Sequence, residues 1–314
     1  METNTQLWDG FAAKIRSVTK SSLASGKLCS LATTCTTVLQ PVDGAVCATP
    51  FIIRTLQPRV KSVAKPEGNI QTLPESTLED AKRRSPFLNP DPDLVVAALP
   101  HHNVILNKYP VTKHHILLCT REFRTQEEHL TPADLEALEM CAKHAYPRDV
   151  GALCFYNCGL VSGASQGHKH VQIVPAVVEE QDLPPQRYFL DALAEPLGAE
   201  ARTIPGLKFR HAFRKIGEGD SWVRVYGEML EQLGMKADGR TEQSYNLVCK
   251  HDWMFVVPRA RECAGIERQE GEVVEMSVNS LGFAGSFLVK NPLDVEAIKK
   301  KTPLAMLDEI TFKI

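Results

Sequence analysis

The run His168-Lys-His-Val-Gln-Ile-Val174 restricts the backbone more than any other stretch of the chain. As a strand, its two-residue period puts His168, His170, Gln172 and Val174 on one face and Lys169, Val171 and Ile173 on the other, so three polar groups converge. As a helix it would send residues two apart to nearly opposite sides, and the i, i+4 histidine pair of a helix-borne zinc site is absent. The spacing therefore predicts a strand-borne site.

A second apolar strand, Ala152 to Asn157, precedes it, joined by the loop Asn157-Cys-Gly-Leu-Val-Ser-Gly-Ala-Ser-Gln-Gly167. The three glycines let backbone N–H groups approach a phosphate closely, and Ser162, Ser165 and Gln166 add side-chain donors. Imidazole is the side chain best suited to be a neutral nucleophile near pH 7. A second histidine or a backbone carbonyl can hold it in one tautomer, leaving the other nitrogen to attack phosphorus, while the Gln172 amide donates to a non-bridging oxygen. That mechanism requires open space in front of the ring. Two other readings use the same residues. Either histidine could be a hydrogen-bonded structural residue, and Cys154, Cys158, His168 and His170 could form a zinc set, although the cysteines lack the usual tight spacing.

The remaining residues set the context. A chain of 314 residues can bury a sizeable core as one large domain or two joined halves. Its formal net charge of -2 gives no field that would draw the whole molecule to nucleic acid or a membrane, so an anion site must be a local cluster. No stretch nears the roughly 18 apolar residues of a membrane-spanning helix, and a soluble protein is expected. Nine cysteines with no CxxC pair point to reduced thiols and a cytoplasmic location. From Gly10 to Val42 there are four basic residues and no acid, as in a transit segment. Leu7, Phe11, Ile15 and Val18, however, make the stripe of an amphipathic helix docked on the domain.

The expected fold is α+β. An N-terminal helix and lead-in fill 1–45. A catalytic part follows over 46–180, with a strand from Cys47 to Leu56 and a long polar loop over 58–92. Residues 103–110 and 115–119 predict an antiparallel strand pair. Thr131 is placed to cap a helix that starts with Pro132, has Asp134 in a capping box, and buries Leu135, Leu138 and Cys141. A C-terminal half over 181–314 carries helices near Pro185 to Leu193 and Ser221 to Leu233, strands Tyr245 to Cys249 and Met254 to Val257, and a last helix after Asp294. The order strand, turn, strand, Arg-Glu occurs at Val104 to Glu122 and again at Asn246 to Glu262, suggesting two diverged halves.

Six segments resemble, in order, those of the diadenosine tetraphosphate (Ap4A) phosphorylases, or ATP adenylyltransferases, of the galactose-1-phosphate uridylyltransferase branch of the histidine-triad superfamily. They are Phe51-Ile-Ile-Arg54, Pro86-Phe-Leu-Asn-Pro-Asp-Pro92, Leu106-Asn-Lys-Tyr-Pro-Val111, Tyr156 to Gln172, Trp253-Met-Phe-Val-Val-Pro-Arg259 and Ser277-Val-Asn-Ser-Leu-Gly-Phe-Ala-Gly285. The resemblance implies a histidine-triad-like antiparallel sheet with flanking helices. It also implies conversion of Ap4A and phosphate to ATP and ADP through an adenylyl group on His170, with His168 and Gln172 in support. By the same resemblance Asn157, Ser162, Gly163, Ser165 and Gln172 line the phosphates, and Asn107 and Lys108 sit in the nucleotide site. Arg54, Lys61 and Lys290 are candidates for neutralising the polyphosphate, and Mg²⁺ is expected to bind with the substrate. Gly167 stands where relatives vary. The rivals are a hexose-1-phosphate nucleotidyltransferase sharing the covalent histidine and an inactive nucleotide-binding sensor.

Overall fold

The computed structural model describes residues 4–29, 31–43, 49–57, 81–110, 112–180, 183–269 and 271–314. In chain order the strands are β1 (Thr33–Gln40), β2 (Thr49–Leu56), β3 (Val95–Ala98), β4 (His102–Leu106), β5 (Ile116–Thr120), β6 (Ala152–Cys158) and β7 (His170–Pro175). They continue with β8 (Val177–Glu180), β9 (Leu183–Arg187), β10 (Ala212–Lys215), β11 (Tyr245–Cys249), β12 (Trp253–Pro258), β13 (Cys263–Gln269), β14 (Glu272–Ser277) and β15 (Ser286–Val289).

Eight strands build one sheet in the order β10-β12-β11-β6-β7-β5-β4-β3, with every neighbouring pair antiparallel. Strands from before and after residue 180 share it, and the central pair β6–β7 is flanked by the hairpins β4–β5 and β11–β12. A smaller sheet, β1-β2-β15, has β15 parallel to β2.

Both faces of the large sheet are buried. On one, Cys154, Tyr156, Val171 and Ile173 pack with the N-terminal helix residues Trp8, Phe11 and Ile15 and with the helices Pro132–His144 and Trp222–Gln232. On the other, Leu153, Phe155 and Val174 pack with Ile52 and Phe287 of the small sheet and with the helices Phe189–Ala194, Leu293–Lys301 and Pro303–Glu309. A sheet covered on both faces needs near-continuous apolar strands, which is how β5, β6, β11 and β12 read. No described helix is long and apolar enough to cross a membrane.

Several expectations are met closely. The helix Pro132–His144 has Thr131 as its N-cap, a reciprocal capping box with Asp134, and Leu135, Leu138 and Cys141 buried. Others are corrected. The stripe Leu7 to Val18 spans two helices, Asn4–Asp9 and Phe11–Ala24, with Gly10 between them. The segment from Pro185 is not helical at first. Leu183–Arg187 is β9, paired with β8, and the helix starts only at Phe189. The tandem Pro184-Pro185 holds that stretch extended, because the residue before a proline is pushed out of the helical region. The first strand of the β4–β5 hairpin ends at Leu106, leaving Asn107 to Pro110 in the turn. Of the expected loop 58–92, residues 58–80 lie outside the described residues; 81–84 are helical and Phe87 packs with Ile105, Leu117 and Cys119.

Candidate active site

The predicted alternation along β7 holds, although regular pairing starts at His170 and His168 makes only an isolated bridge to Thr125. Val171 and Ile173 enter the helix-side core. Lys169 follows them, 2% exposed, where its ammonium meets Asp134 at 2.7 Å and donates to the His129 carbonyl at 2.6 Å. Asp134 also accepts from His102 Nε2 at 2.7 Å. Burial alone would raise the Asp134 pKa; the His102 bond and the Lys169 charge outweigh it, and the carboxyl ends well below its ordinary range. Cys154 lies on this same helix side and cannot join His170 around a zinc ion.

His170 and Gln172 face the other way. His170 Nδ1 lies 2.8 Å from the carbonyl of His168. A carbonyl only accepts, so Nδ1 carries the proton and Nε2 keeps its lone pair. Nε2 bonds to nothing among the described residues. The residue as a whole is 4% exposed. Burial pushes the imidazole down to about 4, against the opposing effect of the His168 carbonyl. The imidazole is thus neutral at physiological pH.

His168 is held in the opposite tautomer. Its Nε2 donates toward the Glu122 carbonyl at 3.1 Å and lies 2.9 Å from Thr120 Oγ1, while its Nδ1 accepts from Ser85 Oγ at 2.6 Å. Burial lowers its pKa as well. What His168 gives His170 is its main-chain oxygen.

The open face expected in front of His170 is narrower than the sequence suggested. The Phe87 ring packs 5.1 Å from His170 and 5.8 Å from His168, and Ser85 grips the latter. Clefts of about 790 and 640 Å³ lie nearby, but the residues lining them do not include His170. The segment carrying Phe87 is the end of the stretch read as a polar loop.

Gln126, which carries no sequence signal, organises the junction. The β6–β7 pairing stops at Phe155↔Gln172, and beyond it the two strands part. The Gln126 side chain fills the gap: Oε1 accepts from His170 N at 2.8 Å, and Nε2 donates to the carbonyls of Asn157 at 2.8 Å and His170 at 3.2 Å. One amide thereby satisfies strand groups that would otherwise be buried and unpaired. Gln126→Leu is expected to cost about 1–3 kcal/mol of stability and to slow turnover roughly tenfold by loosening His170; chemical denaturation alongside steady-state rates checks both. An unchanged midpoint and rate would contradict the role.

Behind the Gly/Ser loop lies a second network. Asn157 and Asn246 are cross-strand partners on β6 and β11. Asn157 Oδ1 accepts from Asn246 Nδ2 at 2.9 Å, Ser280 N at 2.8 Å and Ser280 Oγ at 2.7 Å, which leaves its own NH₂ unbonded among the described residues. Buried Arg259 donates to Asn246 Oδ1 and to the carbonyls of Val278 (2.7 Å), Arg261 (2.9 Å) and Glu262 (2.9 Å). Gly163 sits at φ 77°, and a Cβ there would lie 2.6 Å from the Val278 carbonyl, so only glycine lets the loop lie against this network.

The other candidates separate. Ser165 is exposed and Gln166 half-buried, neither bonded to another described side chain, so both are free to donate outward. Ser162 is corrected: fully buried, its hydroxyl turns inward to the Gly159 carbonyl at 2.6 Å and cannot line a phosphate. Asn107 holds its own turn, accepting from Tyr109 N at 3.0 Å and meeting His115 Nδ1 at 3.3 Å. Lys108 is exposed beside the Tyr109 ring, and its carbonyl accepts from Cys29 N, on the N-terminal lead-in. Arg54 is 1% exposed and donates to Ser286 Oγ in the small sheet. Lys290 is exposed just past β15, and Lys61 lies outside the described residues. Gln172 is half-buried beside His115, whose imidazole burial pushes down to about 3 against the raising effect of the Gln172 bond.

Comparison with known proteins agrees with this architecture. The family model of the Ap4A phosphorylase N-terminal domain matches residues 2–190, and that of the ATP adenylyltransferase C-terminal domain matches 205–313. Diadenosine 5',5'''-P1,P4-tetraphosphate phosphorylase 2 of Saccharomyces cerevisiae is 31% identical over 237 residues, 68% of this chain and 70% of that relative. Protein APA1 of the same yeast is 28% identical over 262 residues, 77% and 72% of the two chains. The crystal structure of yeast Ap4A phosphorylase Apa2 in complex with Ap4A has the same fold, with a TM-score of 0.73 at 23% identity over 97% of this chain and 98% of that one. This chain therefore belongs to the Ap4A phosphorylase and ATP adenylyltransferase family of nucleotidyltransferases.

Proposed function

We propose that the chain converts Ap4A and inorganic phosphate to ATP and ADP by way of a covalent adenylyl-histidine at His170. The observation that carries this reading is the fixed tautomer of His170, with Nδ1–H on the His168 carbonyl and Nε2 unbonded. Nε2 attacks the α-phosphorus, a P–N bond forms, and the bond to the bridging oxygen breaks, so that ATP leaves with the electron pair. Phosphate oxygen then attacks the same phosphorus, the P–N bond breaks, and ADP departs with Nε2 restored. The Asn157 NH₂, the Gly163 to Gln166 loop and Gln172 stabilise the charge that builds on the non-bridging oxygens. The relatives named as Ap4A phosphorylases support the choice of substrate.

No group of three or more His, Cys, Asp or Glu side chains among the described residues is placed to hold a metal ion. A divalent cation such as Mg²⁺ would be held by substrate oxygens, where it neutralises phosphate charge. Product analysis tests the reading. With Ap4A and phosphate the enzyme is expected to release ATP and ADP in equal amounts; AMP in place of ADP would indicate water as acceptor, and activity confined to a hexose 1-phosphate with a UDP-sugar would indicate the sister reaction.

The lowered pKa of His170 gives a further expectation. The reactive form is the neutral ring, so the rate of histidine adenylylation should hold as pH falls through 6.5 and drop only near 4. Stability moves in the same direction. The folded-state value lies below the unfolded one, the unfolded chain binds more protons between them, and stability present above 6.5 is lost progressively as pH falls toward 4. Single-turnover rates with circular dichroism at each pH check both; a rate that halves near 6.5 in a folded protein would contradict the buried, neutral imidazole.

A further inference from the structure

The loop after β5 forms a wall shared by both clefts, since Arg121, Glu122, Arg124 and Glu128 line each of them. This wall is joined to the reacting centre. The Glu122 carbonyl accepts from His168 Nε2, the Arg124 carbonyl accepts from Lys169 N, and the Phe123 ring lies 5.1 Å from that of His168. The smaller cleft, of about 640 Å³, is also lined by Lys82, three residues before the Ser85 that holds His168 Nδ1. The loop wall of the cleft thus touches His168, two residues from His170.

Arg121 and Arg124 are exposed, and neither guanidinium forms an ion pair or side-chain hydrogen bond among the described residues. Of the two carboxylates beside them, Glu128 is turned back to accept from Thr125 N at 3.1 Å, which leaves exposed Glu122 as the opposing charge. Unpaired guanidiniums offer forked donors that match phosphate oxygens. Attack on the α-phosphorus expels three phosphates at once, a charge that forked donors are suited to meet.

We propose that Arg121 and Arg124 bind the phosphates of the departing nucleoside triphosphate, making this cleft the leaving-group subsite. The assignment rests on the adenylyl-transfer reading of His170, but it makes a claim of its own about chain length: the arginines matter to ligands with several phosphates and not to a nucleoside monophosphate.

The test uses full-length Arg121→Gln, Arg124→Gln and the double variant, with AMP, ATP and Ap4A binding measured by calorimetry and adenylyl-protein formation from Ap4A followed in parallel. Each substitution is expected to weaken ATP and Ap4A binding roughly tenfold, the pair more so, with AMP affinity within twofold of the parent. ATP bound equally by parent and double variant, ATP not bound by the parent at all, or AMP lost in step with ATP would each overturn the proposal. ATP binding that depends on the arginines in a parent that takes no adenylyl label would uphold the subsite while removing the proposed reaction.

Discussion

His170→Ala is expected to lower phosphorolysis by at least ~10⁴-fold, the scale on which removal of a covalent nucleophile acts, while the protein still folds and binds Ap4A. The fold should survive because β7 is held by main-chain pairing to β5 and β6 and by Gln126, none of which needs the imidazole. His168→Ala should behave differently. The group His168 offers to Nδ1 of His170 is its backbone carbonyl, and any side chain at that position leaves it in place. What is lost is the clasp through Ser85, Thr120 and Glu122, so a loss of roughly ten- to a hundredfold is expected, at the low end of the range for positioned acid–base and orienting groups. Steady-state rates for both variants, with circular dichroism as the check on folding, decide it. Parent-like activity in the His170 variant would reject the assignment, and equal losses in both would mean that the two imidazoles act as one unit.

The second large effect is on stability. Arg259→Met is expected to cost about 3–5 kcal/mol, as for removal of one partner from a buried charged network. Burial pushes the guanidinium down to about 9, so it remains charged at neutral pH, and its charge is met by the carbonyls of Arg261, Glu262 and Val278 and by Asn246. Without it the Arg261 and Val278 carbonyls lose their donor while that of Glu262 keeps only Val278 N, Asn246 loses its orientation, and the Asn157 NH₂ and Gly163 turn lose their backing. Catalysis should therefore fall along with the denaturation midpoint. A variant with an unchanged midpoint would show that the carbonyls find other donors.

Local features of this molecule were readable from the residues. The β7 alternation and the capping box at Thr131 and Asp134 depend on spacing within a few positions, and both appear as read. Non-local features were not. Gln126 reaches His170 across 44 positions and Arg259 reaches Ser162 across 97, with no periodic pattern to mark either. Ser162 shows the limit of reasoning from residue type: a serine in a Gly/Ser loop looks like a phosphate donor, and only the loop's fold turns its hydroxyl inward. The polar stretch before β3 misled for a related reason. Its composition hides Phe87, which the tertiary fold places against both His168 and His170. For Arg259 and Ser280 a signal did exist, since both lie in family-like segments, but it identified the segment and not the side chain that matters.

The most direct test of the account is to mix enzyme with Ap4A in the absence of phosphate, quench in alkali to preserve the phosphoramidate, and locate the adenylyl group by mass spectrometry and NMR. The tautomer seen here predicts one adenylyl group per chain, attached to Nε2 of His170 and discharged as ADP when phosphate is added. Label on His168, on Nδ1 of His170, or on no residue while ATP is still released would contradict it.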